Sequence, residues 1–100
     1  MLDIEKKAKG TTLIVALKGR LDTTTSPELE SFLKENLDGT TELVFDLKDL
    51  EYISSAGLRV LLSAHKAMTK QGSMKLQHVS EIVMEVFEVT GFSDILNIEE

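Results

Sequence analysis

Apolar residues arrive along the chain in short runs whose spacing alternates between strand-like and helix-like, and each change is punctuated by Gly, Ser or Pro. Ile4, Lys6 and Ala8 alternate loosely with Glu5 and Lys7, Gly10 interrupts, and Thr12 to Leu17 (TLIVAL) is a β-rich run that stops at Gly19. Two such runs around one break predict a hairpin. After the polar stretch Asp22 to Thr25, Ser26-Pro27-Glu28 carries the chemistry of a helix start. Ser caps free amides, Pro suits the first helical position, and Glu complements the dipole. Leu29, Phe32, Leu33 and Leu37 then fall on one helical face, which should end near Asp38-Gly39.

Glu42 to Leu47 (ELVFDL) is apolar at nearly every position, the pattern of a central strand covered on both faces. From Ser54-Ser55-Ala56-Gly57, a helical pattern of Leu58, Val60, Leu61, Leu62, Ala64, Ala67 and Met68 runs to Gln71-Gly72. Met74 to Val79 alternates as a further strand. Ser80-Glu81 opens a third helix that Gly91 closes, and Ile95 to Ile98 reads as a last short strand. The order β-β-α-β-α-β-α-β makes the helices crossovers between strands. It predicts an α/β fold, a mixed sheet of about five strands with helices mainly on one face.

With 100 residues the chain suits one domain spanning 1–100, and that length leaves no room for an enclosed cofactor cavity with a lid. Seventeen acidic residues against eleven Lys and Arg give a formal charge of −6. That balance repels phosphate backbones and anionic membranes, so no nucleic acid partner and no direct membrane insertion are expected. There is no signal-like or membrane-spanning apolar run, and a cytoplasmic protein is the expectation. With no cysteine, thiolate metal sites, disulfides and thiol catalysis are excluded.

The candidate chemistry gathers at the second helix start. Ser54 or Ser55 can cap it, while Gly57 inside the helix costs about 1 kcal/mol relative to Ala and asks for a reason, either close packing on the sheet or close approach of a partner. Helix starts present unpaired amides and a positive dipole end, so a phosphate on Ser55 would be tolerated there. Upstream, Asp22 and the threonines Thr23, Thr24 and Thr25 either cap the first helix or orient a hydroxyl toward a partner. Arg59 is the cation best placed to meet an acidic surface or a nearby phosphate.

A serine hydrolase is not expected, because the only histidines are His65, ten residues along the same helix, and His78 at a strand end. Asp46 and Asp49 invite a magnesium or aspartyl-phosphate site, but nothing in the sequence supplies the rest of one. Glycine-rich phosphate loops are missing, so no cofactor and no metal are expected. The apolar residues of the second helix form two stripes, Leu58, Leu61 and Leu62 against Val60, Ala64 and Ala67. One faces the sheet; the other packs on the third helix or stands exposed as a docking patch.

Three blocks, GRLDTTTSPEL, DLKDLEYISSAGLRVLL and VFEVTGFSDIL, lie in an order and spacing that resemble the anti-sigma factor antagonist family, whose domain is called STAS. The resemblance covers nearly the whole chain and implies a STAS-like fold. Ser55 falls at the family's phosphorylatable serine, in Ser55-Ala56-Gly57-Leu58 where the family commonly shows Ser-Ser-Gly-Leu. Asp22 matches the Leu-Asp of the upstream loop, and Gly91-Phe92 the close of the third helix. Two departures are Ser54, where the family frequently has Asp, and an end at Glu100 where relatives often continue into a fourth helix. The first admits Ser54 as an alternative phosphorylated residue.

What the resemblance implies is a non-enzymatic interaction switch. The unmodified protein binds an anti-sigma factor with ATP-dependent serine kinase activity, and the form phosphorylated on Ser55 releases it. A metal-dependent serine phosphatase resets the cycle. The expected contact residues are Asp22, Thr24, Ser54, Ser55, Gly57, Leu58 and Arg59. The alternative is a non-switching STAS scaffold subunit of a larger signalling or lipid-transport assembly, in which Ser55 only caps a helix.

Overall fold

A computed structural model describes residues 1–99. The chain forms β1 (Leu2–Lys9), β2 (Thr12–Leu21), α1 (Ser26–Asn36), β3 (Glu42–Ile53), α2 (Ser55–Thr69), β4 (Ser73–Gln77) and α3 (Glu81–Thr90), followed by a 3-10 turn at Phe92–Asp94. The sheet order is β1-β2-β3-β4, with β1 antiparallel to β2 and the other neighbours parallel. The β1–β2 hairpin turns through Gly10-Thr11, and Gly10 sits at φ 63°, a left-handed value that a two-residue turn needs and Gly supplies without strain.

One face of the sheet makes the core. Leu13, Val15 and Leu17 of β2 align with Leu43, Phe45 and Leu47 of β3 and with Met74 and Leu76 of β4, all buried beneath Leu29, Leu33, Leu58, Leu61, Met68, Val83 and Phe87 of the helices. Each such leucine or phenylalanine contributes roughly 1.5–3 kcal/mol by leaving water. The opposite face is open. Ile14, Ala16 and Lys18 with Asp46, Lys48 and Asp49 line a shallow trough of about 500 Å³ on that side. The helices therefore lie mainly on one face, as the crossover order predicts. The expectation that β3 is covered on both faces is corrected: Val44 is buried on the open side, but Asp46 is half-buried and Lys48 exposed.

β3 runs six residues beyond the predicted Leu47. Its register with β2 slips twice, between Ala16 and Lys18 and between Gly19 and Arg20, each slip inserting an extra β3 residue. Bulges twist and re-aim a strand. Here they carry Leu50 and Ile53 back into the core although they stand three residues apart. β4 stops at Gln77 because His78 adopts φ 57°. The expected last strand, Ile95 to Ile98, contracts to one parallel bridge between Leu76 and Ile98, held by Leu76 N–H to Asn97 O at 2.9 Å and Glu99 N–H to Leu76 O at 2.8 Å. Phe92 instead begins a 3-10 turn behind Gly91, which closes α3 at φ 83° as predicted.

Candidate phosphorylation and partner-binding site

The site forms where β2 and β3, adjacent and parallel, both end. Leu21 pairs with Ile53, and the Ser54 amide donates to the Leu21 carbonyl at 2.9 Å, so the Asp22–Thr25 loop and the start of α2 leave the sheet side by side. Asp22 organises the loop. Its Oδ1 accepts from the Thr24 amide at 3.1 Å, the Thr24 hydroxyl at 2.8 Å and the Thr25 amide at 3.1 Å. Thr25 Oγ1 accepts from the Asp22 amide and donates to the Arg20 carbonyl, both at 2.8 Å. The Thr24 hydroxyl bond chiefly, opposed by partial desolvation and aided by the bonds to Thr25, holds the Asp22 carboxyl at about 2.

The expected cap at Ser26 is corrected by this network. The Ser26 hydroxyl donates back to the Asp22 carbonyl at 2.6 Å, and Thr25, at the N-cap position of α1, makes no side-chain cap bond. The amides of Thr24, Thr25 and Ser26 are satisfied by Asp22 instead. Thr24 is exposed, with its side chain tied to Asp22.

At α2, Ser54 is the N-cap in extended geometry, its Oγ accepting from the Gly57 amide at 3.5 Å, and the Leu58 amide donates to the Ser54 carbonyl at 2.9 Å. Ser55 is the first helical residue. Its side chain is exposed and, among the described residues, makes no hydrogen bond. A Cβ added to Gly57 would lie 2.7 Å from Leu21 Cγ and 2.9 Å from Ile53 Cγ1. Close packing of the helix start on the strand ends is therefore the reason for this glycine.

Five of the expected contact residues, Asp22, Thr24, Ser54, Ser55 and Arg59, reach the surface or half reach it. Gly57 and Leu58 do not: both are buried, Leu58 at 4% exposure, and they seat the helix on the sheet. Arg59 is exposed, in no ion pair among the described residues, and lines a groove of about 220 Å³ with Thr23, Ser26, Pro27, Ala56 and Val60 between the starts of α1 and α2. The second apolar stripe of α2 is neither on α3 nor exposed. Val60 and Ala64 pack against α1, and Ala67 lines the apolar groove that continues between the two helices past Leu33 and Leu37.

Sequence reasoning missed Arg20. Its guanidinium lies 4.4 Å from the centre of the Tyr52 ring, and its Nε is 3.7 Å from Asp22 Oδ2, so it braces the loop from the open face. The Arg-Leu-Asp order, with the charged residues two apart where a strand ends, is the available signal. Asp46 serves a different end: its Oδ1 accepts from the Lys48 amide at 3.2 Å and sits 3.0 Å from His78 Nδ1.

The STAS domain family model matches residues 3–100. The chain is 32% identical over 98 residues to the anti-sigma-B factor antagonist of Bacillus subtilis, covering 97% of this chain and 90% of that one. The chain belongs to the anti-sigma factor antagonist family of STAS domains. Solved structures share the architecture of this STAS domain. An anti-sigma factor antagonist from Mycobacterium paratuberculosis superposes at a TM-score of 0.88 with 20% identity, over 98% of this chain and 85% of that one. The Bacillus cell fate determinant SpoIIAA in its phosphorylated form gives 0.75 with 16% identity, over 98% and 92%. No helix among the described residues of the STAS domain is long and apolar enough to cross a membrane.

Proposed function

We propose that this STAS domain is a phosphorylation-controlled antagonist that binds an anti-sigma factor while Ser55 is unmodified and releases it once Ser55 carries a phosphate. The observation that carries the reading is the exposed hydroxyl of Ser55, unbonded among the described residues, at the first position of α2 and beside a loop that Asp22 ties together. The partner supplies the chemistry. Its bound ATP donates the γ-phosphoryl group: the bond from the serine oxygen to phosphorus forms, the anhydride to ADP breaks, and the hydroxyl proton passes to a base on the kinase. The antagonist itself is not an enzyme in this reading. A metal-dependent serine phosphatase hydrolyses the ester to restore the starting state, and the cycle runs in the cytoplasm.

The physical basis is electrostatic. At a helix start the added charge is accommodated by the dipole and free amides, worth about 0.3 to 1 kcal/mol, so the fold survives modification. Against a partner surface the same dianion costs about 2 to 5 kcal/mol. That cost is tens to thousands of fold in affinity at ~1.4 kcal/mol per decade. A relative of the fold, SpoIIAA, exists in a phosphorylated form, which supports the reading.

Incubation with a candidate anti-sigma kinase and ATP, followed by mass spectrometry, tests it. One phosphate on Ser55, none on Ser55→Ala, and a loss of partner affinity in Ser55→Asp are expected. Modification of Ser54 alone would move the site by one residue. Equal partner affinity of the Ser55→Ala and Ser55→Asp proteins would defeat the switch and leave the scaffold role.

A further inference from the structure

We propose that the free edge of β1 pairs antiparallel with the same strand of a second copy of this chain, about a twofold axis at Lys6. β1 lies at the edge of the sheet, bonded among the described residues only to β2. The two-residue turn closes on the pair Lys9 and Thr12, and at the other end the Arg20 amide donates to the Met1 carbonyl at 3.1 Å. Both fix the same parity: the odd residues of β1 spend their backbone groups on β2, and Leu2, Ile4, Lys6 and Ala8 direct theirs outward. An unpaired row of this kind is a template for another strand.

The side chains select which strand. Asp3, Glu5, Lys7 and Lys9 are exposed on the open face, and none is in an ion pair among the described residues. With the axis at Lys6, Glu5 stands opposite Lys7 of the second copy and Asp3 opposite its Lys9, each pair occurring twice by symmetry. These are the non-hydrogen-bonded pairs of the new ladder, where Cα atoms approach to about 4.5 Å and side chains interact most closely. On the other face, Ile4 meets Ala8. Moving the axis one residue either way sets Glu5 against Glu5 or Lys7 against Lys7. Lysines at an edge ordinarily repel foreign strands. Here Lys7 and Lys9 each have an acid at the mirror position, so the strand rejects others and accepts itself. Lys6 would face its own copy, but its ammonium is drawn aside to Asn36 Oδ1 at 2.8 Å.

A single added strand gives a small interface, below about 1,200 Å², so the dimer is transient and concentration-dependent. It leaves the start of α2 uncovered, and its test does not depend on Ser55.

Sedimentation velocity of the full chain from about 10 μM to about 1 mM should show a monomer passing to a dimer. Lys7→Glu should abolish that shift, and the charge-exchanged Glu5→Lys, Lys7→Glu double variant should restore it. Register is read by cysteine pairing, since the chain has no cysteine of its own. An equimolar mixture of Glu5→Cys and Lys7→Cys in a glutathione buffer should form the mixed disulfide well above the statistical share. A purely monomeric chain at the highest concentration, an unchanged shift in Lys7→Glu, or a statistical disulfide mixture would each overturn the proposal.

Discussion

Asp22 and Thr25 grip each other in both directions: the Asp22 amide donates to Thr25 Oγ1 at 2.8 Å, and Asp22 Oδ1 accepts from the Thr25 amide at 3.1 Å. The loop that stands beside Ser55 is thus set by one carboxylate, and its order is tied to that group's charge. The carboxyl is depressed from 3.8 to about 2, so its stabilisation is fully present above pH 3.8 and is lost as pH falls through about 2. Asp22→Asn should melt below the wild type at pH 7 and converge with it near pH 2. Thermal unfolding across that window checks the point, and parallel curves at every pH would refute it.

Gly57→Ala sets two effects against each other. Ala is better than Gly in a helix by about 1 kcal/mol. Its methyl, however, would fall 2.7 Å from Leu21 Cγ and 2.9 Å from Ile53 Cγ1, both in the core. Overpacking of this kind costs about 1 to 3 kcal/mol, and with two side chains to displace the clash should win. A net loss of about 1 kcal/mol in urea unfolding is expected, and trimming Leu21 to Ala in the same chain should add less than its cost in the wild type. A more stable Gly57→Ala protein would contradict the packing argument.

The elements with an unbroken period are legible in the sequence. α2 and α3 begin at Ser54 and Ser80 and the latter ends at Gly91 because each cap is a local chemical fact. The second half of β3 was not legible. Leu47, Leu50 and Ile53 recur every three residues because two bulges intervene, and that spacing imitates a helix while Lys48, Asp49 and Glu51 hide the strand. At the site, Ser55 and Asp22 stand out through their resemblance to the family's motif. Gly57 and Leu58 belong to the same stretch, and their packing against the core is something only burial reveals. Arg20 escaped notice because its role depends on Tyr52, thirty-two residues away and adjacent only through the β2–β3 register.

The two serines at the start of α2 should separate by stability. Ser54 caps the helix, with its Oγ 3.5 Å from the Gly57 amide, a long bond. Ser54→Ala should cost about 0.5 to 1 kcal/mol, the lower part of the range for N-caps. Ser55→Ala removes an exposed hydroxyl with no partner among the described residues and should change stability by less than about 0.5 kcal/mol. Chemical denaturation of both variants decides the assignment, and the reverse order would make Ser55 the structural hydroxyl.

His78 offers a sharper separation of backbone from side chain, because it alone among the described non-glycine residues holds a positive φ, 57°. Two terms act there. The left-handed conformation costs an ordinary residue about 1 to 2 kcal/mol. The imidazole sits 3.0 Å from Asp46 Oδ1, an exposed pair worth about 0 to 1 kcal/mol. Burial raises the Asp46 carboxyl, but the bonds to His78 and to the Lys48 amide outweigh it and leave it lowered, so this contribution is present above the ordinary carboxylate range and fades as pH falls. His78→Gly loses the pair but removes the strain, and should be as stable as the wild type or slightly more so at pH 7. His78→Ala loses the pair and keeps the strain, and His78→Val, with a branched Cβ, should be the least stable. Unfolding free energies in the order Gly, Ala, Val are expected. If Val matched Gly, the left-handed turn at the end of β4 would carry no strain, and the early stop of that strand would need another cause.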